Sequence, residues 1–303
     1  EPDFSHIEGH VDHGVHMLFT YDPDQNLTGV VVNVASPSQS SESGQDFISA
    51  DFWHETREEI RNRYGDDLFV LPQCSAAGDQ SPHRQINTRA ERRMMAHKYG
   101  EDVGRPLNIG LRLDIARRIA DAVGDAEPAA RKDLREGVVL KHEHCTLDLP
   151  HWNVTDEEYA SLQEQIADLS QQLERLDDAD RLSSQYTSLR SRIAWCQRAA
   201  DRYENPPASI TVEVHVLRLG DTAMVTVPVE YYLDFGDRIK GRSPAVQTFV
   251  VQLAGRGTYL ATERAARGLS YGAVPASCQV SPAGGQVIVA LMKKALNGMF
   301  EDD

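Results

Sequence analysis

Cysteine is scarce in these 303 residues: Cys74, Cys145, Cys196 and Cys278 stand far apart, with no Cys-x-x-Cys pair, so neither a zinc knuckle nor a disulfide scaffold is indicated. Surplus positive charge is lacking too. The 31 basic residues face 46 acidic ones, and a net charge of -15 repels phosphate backbones and anionic lipid heads, which argues against nucleic acid as a partner. No apolar run approaches the length of a membrane span, which takes about 20 residues. Internal repeats and low-complexity stretches are missing as well. What is present, with 41% hydrophobic residues, is enough apolar content to bury a large core.

The first half of the chain reads as an α/β fold with a mixed sheet flanked by helices. Met17 to Tyr21 and Leu27 to Val34 are β-rich runs joined by Asp22-Pro23-Asp24-Gln25-Asn26, a hairpin signal. The nearly continuous apolar run Gly29 to Val34 predicts a central strand. Asp51 to Tyr64 has helical spacing at Phe52, Thr56 and Ile60 and ends at Gly65, and Leu68 to Leu71 predicts the next strand. A basic patch follows, with Arg84, Arg89, Arg92 and Arg93, and is expected to be flexible. Leu111, Ile115, Ile119 and Val123 then repeat every four residues along an amphipathic helix. Histidines recur at His6, His10, His13 and His16, where Gly9 and Gly14 favour a polar terminal loop over a metal site. His142 and His144, in a strand from Val138 to Leu149, share a side that reads as a sheet face ahead of a metal site.

Residues 155 to 205 predict an inserted helical hairpin. Thr155-x-x-Glu158 is a capping box, and Tyr159, Leu162, Ile166, Leu169, Leu173 and Leu176 alternate three and four apart. Asp177-Asp178-Ala179-Asp180 interrupts the seam, and Leu182, Tyr186, Leu189, Ile193, Cys196, Ala200 and Tyr203 resume it. An antiparallel coiled-coil hairpin is the result, a candidate also for homo-oligomerisation. Residues 1–154 and 206–303 are then two parts of one α/β domain. The second part holds a hairpin across Gly220-Asp221, a helix from Val229 to Lys240 with Glu230 in its first turn, and a strand from Thr248 to Leu253. A loop carrying Tyr259, Glu263 and Tyr271 follows, and a helix from Gln286 to Met299 closes the chain.

The stretch from Cys74 to His83 follows the strand at Leu68 to Leu71, and turns at the ends of α/β strands are where ligands usually bind. It presents Asp79, Ser81 and His83 within five residues, and Gly78 lets the backbone turn. On chemistry alone, an ordinary turn in which Asp79 and Ser81 satisfy backbone amides accounts for it better than a reactive site does.

In the order in which they occur, Asn33-Val34-Ala35, Ile48-Ser49-Ala50-Asp51, Gly78-Asp79-Gln80-Ser81-Pro82, Val227-Pro228-Val229-Glu230 with Asp234-Phe235-Gly236, and Tyr259-Leu260-Ala261-Thr262 with Tyr271 resemble the neutral/alkaline non-lysosomal ceramidase family, as a divergent bacterial-type member. The resemblance covers most of the chain outside the 155 to 205 hairpin. It implies a hydrolase of an amide or ester bond in a small-molecule or lipid-like substrate, with Ser81 at the scissile amide and Tyr271 assisting. It further implies a zinc ion with Glu230 and Tyr259 among its ligands, and a secreted or periplasmic setting. From the chemistry of the turn itself, Asp79 is expected to be catalytic and Gly78 and His83 to lie at the substrate. The family's His-x-His pair has no counterpart in this sequence, and its third zinc histidine falls near Pro37. The alternative is a family member without catalysis that binds or assembles through the hairpin.

Overall fold

The computed structural model describes residues 7–41, 48–100, 108–176, 183–255 and 257–301. His6, Leu182 and the Asp177 to Asp180 interruption lie outside them. The first strands, β1 (Val15–Tyr21) and β2 (Leu27–Val34), form the expected antiparallel hairpin. Helix α1 (Phe52–Tyr64) crosses to β3 (Phe69–Cys74), which pairs parallel to β2, so β2 is central as its apolar run predicts. The Asp51 carboxylate caps α1 by accepting from the Phe52 amide at 2.7 Å, and Gly65 ends the helix at a φ of 109°.

The expected flexible basic patch is instead helix α2 (Thr88–Tyr99). No Gly or Pro interrupts those residues, and Ala, Arg, Met and Lys are good helix formers, so local propensity outweighs the like-charge repulsion. Helix α3 (Ile109–Ala130) lays Ile119 and Val123 against Val30, Val32, Phe52 and Ile60, which closes the first core.

Strand β4 (Leu140–Leu149) leads into α4 (Asp156–Glu174) and α5 (Ser184–Glu204), and β5 (Ile210–Leu219) returns beside β4 in antiparallel register. The two helices are thus inserted between neighbouring strands without disturbing their pairing. They lie antiparallel: Tyr159 stacks on Tyr203 with centroids 4.2 Å apart, and Leu162 meets Cys196 and Ala199. Strand β6 (Thr222–Thr226) completes the predicted hairpin across Gly220.

The helix expected from Val229 starts later. Glu230 lies in the short strand β7 (Glu230–Tyr231), and helix α6 (Leu233–Lys240) begins three residues on. Strand β8 (Gln247–Val251) runs parallel to β6, and β9 (Tyr259–Leu260) runs parallel to β7. The Glu230 amide donates to the Thr258 carbonyl at 2.8 Å, so strand pairing claims the backbone that a helix would need. The expected loop after β8 likewise holds regular structure: Tyr259 is in β9, Glu263 opens α7 (Glu263–Arg267), and Tyr271 opens a 3-10 turn (Tyr271–Ala273).

The α/β class with mixed sheets and flanking helices is therefore what the chain adopts. Strands divide among β1-β2-β3, β4-β5-β6-β8 and β7-β9. The last helix, α8 (Pro282–Phe300), packs Ile288, Met292 and Leu296 under the buried face of β5, where Val212, Val214 and Val216 alternate with exposed residues. No helix of the described residues is long and apolar enough to cross a membrane.

Candidate active site

The residues after β3 turn away from the sheet and are pinned from three sides. The Ser75 amide donates to the Val34 carbonyl at 2.8 Å, and the Gly78 amide to the Tyr231 carbonyl at 2.9 Å. Gln252, just beyond β8, accepts at its side-chain oxygen from both the Ala77 and Tyr231 amides, each at 3.0 Å. One buried amide side chain thereby satisfies two backbone donors and ties the turn to β7. Gly78 is required by contact: a Cβ there would lie 2.5 Å from the Glu230 carbonyl oxygen. The Asp79 carboxylate accepts from the Leu233 amide at 2.8 Å and so caps α6 from 154 residues away.

This packing gathers the turn with the tyrosine segments around one cleft of about 820 Å³. Gly78, Asp79, Ser81, Tyr259 and Tyr271 line it, joined by Tyr232 and by the polar Glu8, Gln39, Gln80 and Gln85. Glu230 is bonded to the Tyr259 side chain at the edge of this group. His83 is not brought to the cleft lining. Its Nε2 lies 2.7 Å from the Gln39 carbonyl, which only accepts, so that nitrogen carries a proton. The His83 amide donates to Ser81 Oγ at 3.1 Å, holding the serine at the exposed end of the turn.

Burial sets the charge states. Desolvation raises the pKa of Glu230, opposed by the Tyr259 hydrogen bond, and raises that of Asp79, opposed by the Leu233 amide. Desolvation and then Glu230 push the Tyr259 phenol well above its usual range, while burial pushes Tyr232 up to about 12. Both phenols are therefore hydrogen-bond donors at neutral pH. The Cys74 and Cys278 thiols, pushed up by burial to about 11 and about 12, stay protonated and do not supply a thiolate.

Tyr232 and Gln252 are the residues that sequence reasoning missed. Tyr231 and Tyr232 directly follow Glu230, and that aromatic pair beside a carboxylate is the available signal. Gln252 carries no local signal, because its role exists only once β8 lies beside the turn.

No family model matches the sequence, and no curated protein matches it. Solved structures do. The neutral ceramidase from Pseudomonas aeruginosa superposes with a TM-score of 0.64 at 15% identity, over 100% of this chain and 49% of that one. The fold is ceramidase-like. A ceramidase complexed with C2 gives a TM-score of 0.63 at 14% identity, over 100% of this chain and 50% of that one. The chain thus spans about half the length of these proteins, and the ceramidase-like fold is what the likeness shows.

The zinc ion implied by the resemblance can be set against the donors present. Among the described residues no three His, Cys, Asp or Glu side chains converge as a metal site. Glu230 and Tyr259 supply one carboxylate and one phenol, whereas catalytic zinc takes three protein ligands, usually with imidazole among them. These residues do not fit the ion.

Proposed function

We propose that this chain is a ceramidase-like hydrolase that cleaves an amide or ester bond of a small or lipid-like substrate, with Ser81 at the reacting carbon. One observation carries the reading: packing alone brings Gly78, Asp79 and Ser81 to the same cleft as Tyr259 and Tyr271, from segments about 180 residues apart in sequence. The polar lining by Glu8, Gln39, Gln80 and Gln85 suits a substrate with a more polar body than ceramide.

Acyl transfer needs a nucleophile, a proton acceptor and a donor for the developing oxyanion. In this reading the Ser81 hydroxyl adds to the carbonyl carbon and Asp79 takes its proton, as a carboxylate whose burial makes it more basic than an exposed one. Tyr271 donates to the carbonyl oxygen as it becomes an oxyanion. The carbon–nitrogen bond then breaks, the proton on Asp79 passes to the departing amine, and the acyl group remains on Ser81. Water repeats the sequence, which releases the carboxylic acid and returns the hydroxyl proton to Ser81. Tyr259, hydrogen-bonded to Glu230, lines the cleft.

Amine release from a set of N-acyl amides and the corresponding esters tests the reading. Hydrolysis by the protein, lost at least about 100-fold in Ser81→Ala with unchanged thermal unfolding, is the expected result. Unchanged activity in Ser81→Ala overturns it.

A further inference from the structure

Tyr271 is an unusual choice for a residue that must hold a donor in place. It opens a three-residue turn and is 73% exposed at the rim of the cleft. Its ring has two aromatic neighbours. Tyr259 meets it edge-on with centroids 5.9 Å apart, and Trp195, from α5 of the inserted hairpin, stacks on it at 5.9 Å with an interplanar angle of 23°. The hairpin is therefore in contact with the cleft's own machinery.

That contact is built on an anchored platform. Arg202, about two turns along the same face of α5 from Trp195, donates to the Pro275 carbonyl and, at 3.2 Å, to the Cys278 carbonyl. Ala276 packs into the hairpin seam beside Leu162, Cys196 and Ala199. Ser277 Oγ in turn donates to the Tyr271 carbonyl at 2.5 Å. The segment that carries Tyr271 is thus clamped to α5 at the backbone by Arg202 and at the ring by Trp195. Gly272 completes the fit, since a Cβ there would sit 2.8 Å from the Tyr232 hydroxyl and 2.9 Å from the Tyr259 ring.

We propose that Trp195 is a positioning residue for Tyr271, so that the hairpin is a working part of the cleft and not only an appended arm; the proposal rests on the hydrolase reading above. Stacking removes ring orientations from an exposed side chain, and orientation of a transition-state donor acts on kcat. Trp195→Ala is then expected to lower kcat about 10-fold with little change in KM on an N-acyl amide. Trp195→Phe, which keeps a ring, restores most of the loss, and Trp195→Ala adds nothing in a Tyr271→Phe background.

A second readout needs no turnover. Of the three tryptophans, Trp53 and Trp152 are buried at 6% and 9% exposure, so quenching of emission by acrylamide reports mainly on Trp195. Tyr271→Ala is expected to raise that quenching. Unchanged quenching overturns the proposal whatever the activity, as does an undiminished kcat in Trp195→Ala or a further loss in the Tyr271→Phe background. Absence of hydrolysis by the unmodified protein, with quenching responding as expected, instead marks failure of the hydrolase reading and removes the catalytic part of this one.

Discussion

The helical hairpin and the cleft it touches are made in opposite ways. Between Thr155 and Glu204 the structure follows from neighbours in sequence: a capping box in which Thr155 and Glu158 satisfy each other's amides, then apolar residues three and four apart. The cleft has almost no local logic. Its strands β7 and β9 are two residues long, its helix α6 is capped by a carboxylate 154 residues away, and one glutamine side chain joins the serine turn to β7. A regular element can be moved or cut as a unit. A site held by long-range single contacts loses its geometry when one of them goes.

Four substitutions sharpen that contrast. The largest effect belongs to Gln252→Ala, which strands the Ala77 and Tyr231 amides in a buried setting and should cost about 3 kcal/mol, read by chemical denaturation, with hydrolysis lost as well. Gly78→Ala comes next at about 2 kcal/mol, because the new Cβ must push the turn off the Glu230 carbonyl; a loss of stability without displacement of Ser81 would show the packing to be less decisive than the contact implies. Thr155→Ala removes a cap and should cost about 1 kcal/mol, detected as faster amide hydrogen exchange confined to α4 and α5.

The smallest effect, about 0.5 kcal/mol, is expected for Asp12→Asn, and it depends on pH. The His16 side chain, the Lys240 ammonium at 2.9 Å and the Gly14 amide hold the Asp12 carboxyl well below its ordinary value of 3.8. A depressed carboxylate contributes stability above its unfolded pKa and loses it as pH falls through the folded one. The difference between Asp12→Asn and the unaltered protein should therefore be full at neutral pH, begin to shrink below about pH 4 and vanish only as pH falls through the much lower folded value, measured by denaturation at each pH. A gap that persists in acid would assign the effect to packing.

The same contrast explains what could be read from the sequence. Strands β1, β2, β5 and β6, helices α1, α3 and α8, and the paired helices α4 and α5 announce themselves by period, cap and turn residues, since each carries its own apolar face. Helix α2 was obscured by its charge, although its residues favour a helix. At Glu230 the local pattern pointed to a helix and a hydrogen bond to Thr258 decided for a strand. The resemblance names Ser81, Tyr259 and Tyr271 together, and all three line one cleft; His83, named with them, turns to Gln39. Gln252 is invisible in the sequence because its partners come from other segments, whereas Tyr232 stands in a legible Glu-Tyr-Tyr run although its partner Ser270 is distant.

A double-mutant comparison of kcat/KM on an N-acyl amide tests most directly whether the serine turn and the tyrosine segment act as one reaction centre. Ser81→Ala and Tyr271→Phe should each lower kcat/KM by about 100-fold or more, and the double variant should fall no further than Ser81→Ala alone, as groups that act in a single step do. Losses that multiply in the double variant, or no loss in either single one, would contradict it.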